Sequence, residues 1–209
     1  MKIRLNTQFD ELQKSPLEYL DVVEDFYNVY CEALEKQDRH AYLLSYKDDD
    51  YLCVILCASL LHGYSQSKIE DLKELLVKFY YQDWVAGQTK STRSQTCCNI
   101  INALKEKKNI DDIISIVKQY LNKNKITQNF REKLKDDHLY EKHKKSSKNS
   151  WLKPILILVE YFMSDDPKPK RIQTNDFHVE HILPQEPTLS SQWAKDFSEE
   201  ERERYTRIL

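Results

Sequence analysis

The chain has 209 residues, 32 % of them charged, with only two glycines, six prolines and a formal net charge of −2. Glycine this scarce leaves few tight hairpin turns, which argues against a hairpin-rich β protein and for a mainly helical one. No apolar run reaches the roughly 18 residues that span a bilayer, and the start at Met1 lacks the apolar core of a signal peptide, so the cytoplasm is the expected compartment.

Helix signals recur in chain order. Ser15, Pro16 and Glu18 form a capping box with proline at the first helical position. Leu17, Leu20, Val23, Tyr27, Tyr30 and Leu34 then repeat at three- and four-residue spacing, predicting one apolar stripe on a helix to about Gln37. Asp50 is placed to cap a second helix to about Leu61, apolar nearly all round and expected to be the central and most buried one, with Gly63 as its stop. Ser67 and Glu70 read as a capping box for a helix to about Val85, ended by Gly87. Further helices are expected over Arg93–Lys107, from an Asn109 cap through Leu121, and from Thr127 through Leu134. Residues 136–149 carry too few apolar positions for a helix and read as a mobile surface segment. Ser150 is placed to cap Trp151–Met163, where Pro154 falls in the tolerant first turn. The composition then shifts to Asp, Pro, Lys and Arg over Ser164–Asp176, which reads as a linker. A strand-like Phe177–Leu183 follows, and Ser198 with Glu201 opens a last, polar helix.

Several polar groups have ordinary explanations. The five cysteines, Cys31, Cys53, Cys57, Cys97 and Cys98, are odd in number and fall on helical segments, which argues against a disulfide framework. Cys53 and Cys57 share a helix face, but without a second ligand pair they read as buried thiols rather than a zinc site. His40 and His62 flank predicted helix ends, where a cation complements the dipole, and His138 and His143 lie in the charged segment. Tyr27, Tyr30, Tyr80 and Tyr120 fall on apolar stripes and read as core.

Charge is unevenly spread. Residues 1–50 carry 6 basic and 12 acidic side chains, and residues 105–173 carry 17 basic and 10 acidic. The later region suits a phosphate backbone and the first would repel it; a solvated lysine-rich helix face explains the excess equally well. Within Lys133–Lys153, Lys142, Lys144, Lys145 and Lys148 are the candidate phosphate contacts. No glycine-rich phosphate loop is present, so no nucleotide site is expected within the chain.

One octet reads as chemistry rather than folding: His178-Val-Glu-His-Ile-Leu-Pro-Gln185. His181 has the pKa range of a general base at neutral pH, and Glu180 is a hard oxygen donor for a divalent cation. In a straight strand these neighbours face opposite ways, so both meet one phosphate only if the strand bends or ends there, as Pro184 permits.

The acidic-His-Ile-x-Pro run resembles the first strand of an HNH, or His-Me finger, nuclease. Phe177 to Gln185 followed by Trp193 is similar, more narrowly, to the C-terminal nuclease domain of GmrSD-type, modification-dependent restriction endonucleases. The resemblance implies His181 as the base, Glu180 as metal ligand with His178 beside it, and Mg²⁺ or Mn²⁺ as cofactor. It also implies DNA, modified or plain, as substrate, and a nucleotide-hydrolysing partner domain or subunit. The expected architecture is mainly α: a helical domain over 1–163, a linker over 164–176, and a small, incomplete ββα-type segment over 177–209. The family continues with an asparagine-bearing helix that does not follow here, so the chain alone is expected not to cut DNA. Two other readings are a non-catalytic helical module that docks a partner subunit or DNA, and an RNA-directed nuclease.

Overall fold

The computed structural model describes residues 15–35, 38–47, 49–136, 138–139, 150–164, 166, 169–173, 179, 184 and 187–208. Among them the structure is helical: α1 Pro16–Glu35, α2 Arg39–Ser45, α3 Asp50–Leu61, α4 Gln66–Val85, α5 Lys90–Lys105, α6 Ile110–Lys123, α7 Ile126–Leu134, α8 Leu152–Met163, α9 Gln192–Asp196 and α10 Glu199–Ile208. No strand occurs among the described residues. The strand expected over Phe177–Leu183 lies outside them except for Val179, and the ββα character of the C-terminal segment is not seen.

The capping chemistry sets most helix starts. Ser15 accepts from Glu18 N–H at 3.3 Å while the Glu18 carboxylate accepts from Ser15 N–H at 2.7 Å, the reciprocal pair of a capping box. Asn109 accepts from Asp112 N–H at 2.8 Å at the head of α6. At α10, Ser198 and Glu201 repeat the box, and the N–H and hydroxyl of Ser198 hold the Glu201 carboxyl below its usual range. Three starts differ from the sequence reading, α5 opening at Lys90 rather than Arg93. Asp49, not Asp50, caps α3, accepting from Tyr51 N–H at 3.0 Å. α4 begins after Ser65 without a side-chain cap, so Ser67 and Glu70 lie inside the helix, and Glu70 accepts from Gln66 at 2.6 Å instead. Gly63 and Gly87 stop α3 and α4 with φ of +72° and +80°, the left-handed geometry in which a Cβ is costly.

The centre of the bundle is α4 rather than α3. α4 packs against α2, α3, α6 and α7. It buries Leu72, Leu76 and Phe79 completely, each worth about 1.5–3 kcal/mol. α3 packs against α1, α4 and α5 and buries Leu52, Ile55 and Leu56, yet Val54 and Leu61 remain exposed at 41 % and 44 %. An all-apolar helix was misread as central because it lies between neighbours without being enclosed by them. A second small cluster, Val85, Leu139, Trp151 and Leu152, sits under α7, and α8 spans both clusters. Leu139 thereby anchors one end of the segment expected to be mobile; residues 137 and 140–149 lie outside the description.

α1 departs most from expectation. Its stripe is amphipathic as read, but Leu17, Leu20, Val23, Tyr27 and Tyr30 are 73 %, 60 %, 48 %, 64 % and 39 % exposed. Tyr27 and Tyr30 are therefore surface residues, while Tyr80 and Tyr120 are buried as expected. The helix sequence also holds six acidic residues and no basic one.

Candidate functional site

His178, Glu180 and His181 lie outside the described residues, as do Lys142, Lys144, Lys145 and Lys148. Residues 169–173 before the octet and 187–208 after it are described. Tyr161 of α8 donates to Lys170 C=O at 2.9 Å and accepts from Ile172 N–H at 3.0 Å. Tyr46, just past α2, donates to Ile172 C=O, and burial pushes its hydroxyl pKa up, so it stays a donor. Arg171 reaches Ser45 at 3.3 Å, and Arg39 reaches Asp166 C=O at 3.1 Å. The segment read as a linker is thus hydrogen-bonded to α2 and α8 up to Ile172, six residues before His178.

Downstream, Ser191 caps α9 by accepting from Ala194 N–H at 3.2 Å. The rings of Trp193, Phe197 and Tyr205 join α9 to α10, with centroids 6.0 and 5.9 Å apart. None of the described residues from 187 to 205 is buried.

Beside α2 lies a polar cluster that sequence reasoning missed. Oxygen or nitrogen atoms of Asp38, His40 and Glu70 fall within 4.8 Å of one another, a candidate cation arrangement. The cation already there is Lys73, 1 % exposed, which pairs with Asp38 and lies 3.1 Å from Glu70. A buried ammonium between two carboxylates does the electrostatic work a metal would do, so the cluster is an ion-pair knot and not a metal centre. His40 belongs to the first turn of α2, not to a C-terminal end as expected; burial pushes its pKa down against the pull of Asp38, Glu74 and Glu70. His62 does sit at the C-terminal cap of α3. Burial alone would raise the Asp38 carboxyl, but the Lys73 hydrogen bond and charge and the Ala41 N–H outweigh it and hold it below 3.8.

That sign fixes a pH prediction. A depressed carboxyl pKa contributes stability above its unfolded value and loses it as pH falls through the folded one. Asp38→Asn should therefore cost about 2 kcal/mol at neutral pH, the scale of a hydrogen bond to a charged group. The gap to wild type should persist down to about pH 4 and close at lower pH. Urea unfolding at neutral and acid pH reads this directly, and a gap that widens with acid would contradict the assignment.

A second charged group is sealed inside the bundle. Arg93 of α5 is 2 % exposed and donates to Asp83 at 2.8 Å and, through Nε, to Asp49 at 3.1 Å. Tyr120 of α6 donates to the other Asp83 oxygen at 2.5 Å, and the guanidinium stands 5.1 Å from the Tyr80 ring centroid. Burial pushes the Asp83 carboxyl up despite Tyr120 and Arg93. With no route to solvent this group ties α3 through α6 together and carries no chemistry on a substrate. The cysteines are all free; Cys53 and Cys57 lie 3.9 Å apart, and burial with the neighbouring thiol pushes Cys57 up to about 12. Neither joins any cluster of three potential ligands among the described residues.

The described residues thus form a helical bundle, with Lys170 and Ile172 held at a tyrosine clamp and two exposed helices, α9 and α10, further along. Residues 125–209 match the family of GmrSD restriction endonucleases, C-terminal domain, which bears out the resemblance carried by the octet and extends it upstream to the residue before α7. No curated protein and no solved structure shows a significant match. Among the described residues no helix is long and apolar enough to cross a membrane.

Proposed function

We propose that the chain supplies the nuclease part of a modification-dependent restriction system, hydrolysing phosphodiesters of DNA. The observation that carries this reading is the family match over 125–209, which contains the octet. Within it His181 takes a proton from the attacking water, and its ordinary pKa suits that role near neutrality. Glu180 with His178 offers the carboxylate and imidazole donors that fit a divalent cation such as Mg²⁺ or Mn²⁺. Such an ion, when bound, supplies positive charge beside the scissile phosphate and the leaving 3′ oxygen. Lys142, Lys144, Lys145 and Lys148 contribute phosphate contacts without base preference. The cytoplasm is the compartment that suits five unpaired thiols. The test is restriction in cells that express the complete gene, challenged with phage carrying modified or plain DNA. Glu180→Ala should abolish restriction, and retention of restriction by that variant would refute the reading.

A second reading, a module that docks a partner subunit, is favoured by one observation. The exposed stripe of α1, from Leu17 to Tyr30, is too apolar for water, and six acids with no base on that helix make DNA an unfavourable occupant.

A further inference from the structure

An open cleft of about 510 Å³ lies where α6 turns into α7, lined by Asn122, Lys125, Thr127, Gln128, Arg131 and Lys135. Its one acid, Glu132, accepts from Gln128 at 2.8 Å. Lys125, Arg131 and Lys135 are exposed, and among the described residues none of them forms an ion pair. Elsewhere on the molecule Lys73, Lys78, Lys90, Arg93 and Lys108 each meet a carboxylate. The contrast extends beyond the cleft: residues 105–135 hold nine basic and four acidic side chains, whereas α1 holds six acidic and none basic.

Unneutralised cations around one concavity are matched to a polyanion. Arg131 lies in the last turn of α7 and Lys135 is its C-terminal cap, four residues on, so the two stand about one helical turn apart. Arg131 offers a planar fork that grips phosphate oxygens, and Lys135 and Lys125 act as point charges on either side. Asn122 adds a neutral donor of the kind that fixes register on a sugar-phosphate chain. No aromatic ring lines the cleft, so a base finds no ring there to stack on.

We infer that this cleft holds the phosphodiester backbone of duplex DNA, with Lys125, Arg131 and Lys135 as phosphate contacts. The choice of DNA rests on the proposed nuclease reading; the cleft itself rests on geometry and charge. It lies at the upstream edge of the family-matched region and outside the lysines singled out from the sequence.

The test measures binding to a fluorescent DNA duplex in EDTA over a salt series, so that cleavage plays no part. Three contacts should account for about 2.7 of the slope of log affinity against log salt. The triple variant Lys125→Asn, Arg131→Gln, Lys135→Gln should lose that much slope and at least about tenfold in affinity at 50 mM salt. Asparagine is chosen at 125 because the backbone there is left-handed, with φ of 51°. A charge-matched control, Lys68→Gln, Lys78→Gln, Lys90→Gln, should keep the wild-type slope, and both triples should keep wild-type helical circular dichroism. An unchanged slope in the cleft triple, an equal loss in both triples, or no salt-dependent binding by wild type would overturn the proposal. Tighter binding to an RNA duplex of the same sequence would overturn the choice of DNA. Loss of slope together with absent metal-dependent cleavage by the complete protein would leave the cleft standing and sink only the nuclease reading.

Discussion

Replacing His181 by alanine in the complete protein should lower metal-dependent DNA cleavage about 10²-fold or more, the usual scale for a lost general base. At 1.36 kcal/mol per factor of ten this is about 3 kcal/mol of barrier. The pH dependence separates a base from a merely structural histidine. The wild-type rate should rise with pH as the imidazole loses its proton. The alanine variant should lose this limb along with the rate, while DNA binding in EDTA stays at the wild-type level. Undiminished cleavage would refute the assignment, and so would a loss of rate that leaves the acid limb in place.

The second large effect concerns stability. Arg93→Met should destabilise the protein by about 3–5 kcal/mol, because it leaves two fully buried carboxylates, Asp49 and Asp83, without their shared counter-charge. Against a typical total of about 5–15 kcal/mol, that is a large share. Methionine keeps much of the volume, so a cavity contributes little and the orphaned charges dominate. The companion variant Arg93→Met, Asp49→Asn, Asp83→Asn removes those charges while keeping amide oxygens for Tyr51 N–H and the Tyr120 hydroxyl. It should recover at least half of the loss in urea unfolding. A single variant costing under about 1 kcal/mol, within the range of ordinary surface changes, would show that the ion group is dispensable. A triple variant worse than the single would show that the carboxylates act by something other than charge.

These residues also mark where sequence reasoning runs out. The long helices were legible because their starts carry side-chain chemistry with fixed spacing: Ser15 with Glu18, Asn109 with Asp112, Ser198 with Glu201. α2 and α9, of seven and five residues, escaped because they are too short to display a period. The burial of Lys73, Asp83 and Arg93 has no local signal, since their partners lie up to 44 positions away. The same blindness hid the ion-pair knot at Asp38 and made α3, the most apolar helix, look more central than α4. In the C-terminal third, the octet could be read from residue chemistry alone. The cleft was visible only as a diffuse excess of lysine, because which cations lack a carboxylate is a property of the folded surface.

The tyrosine clamp on Ile172 has a consequence in time. Tyr46 and Tyr161 are 115 positions apart in sequence, so the receptor for the chain leading to the octet does not exist until α2 and α8 have come together. Long loops close late and at an entropic cost that only a largely assembled bundle offsets. The C-terminal arm therefore docks after the body, and a body that misfolds offers it no berth. For a protein proposed to cut its host's own kind of polymer, this ordering makes any activity of the octet conditional on a correctly finished fold.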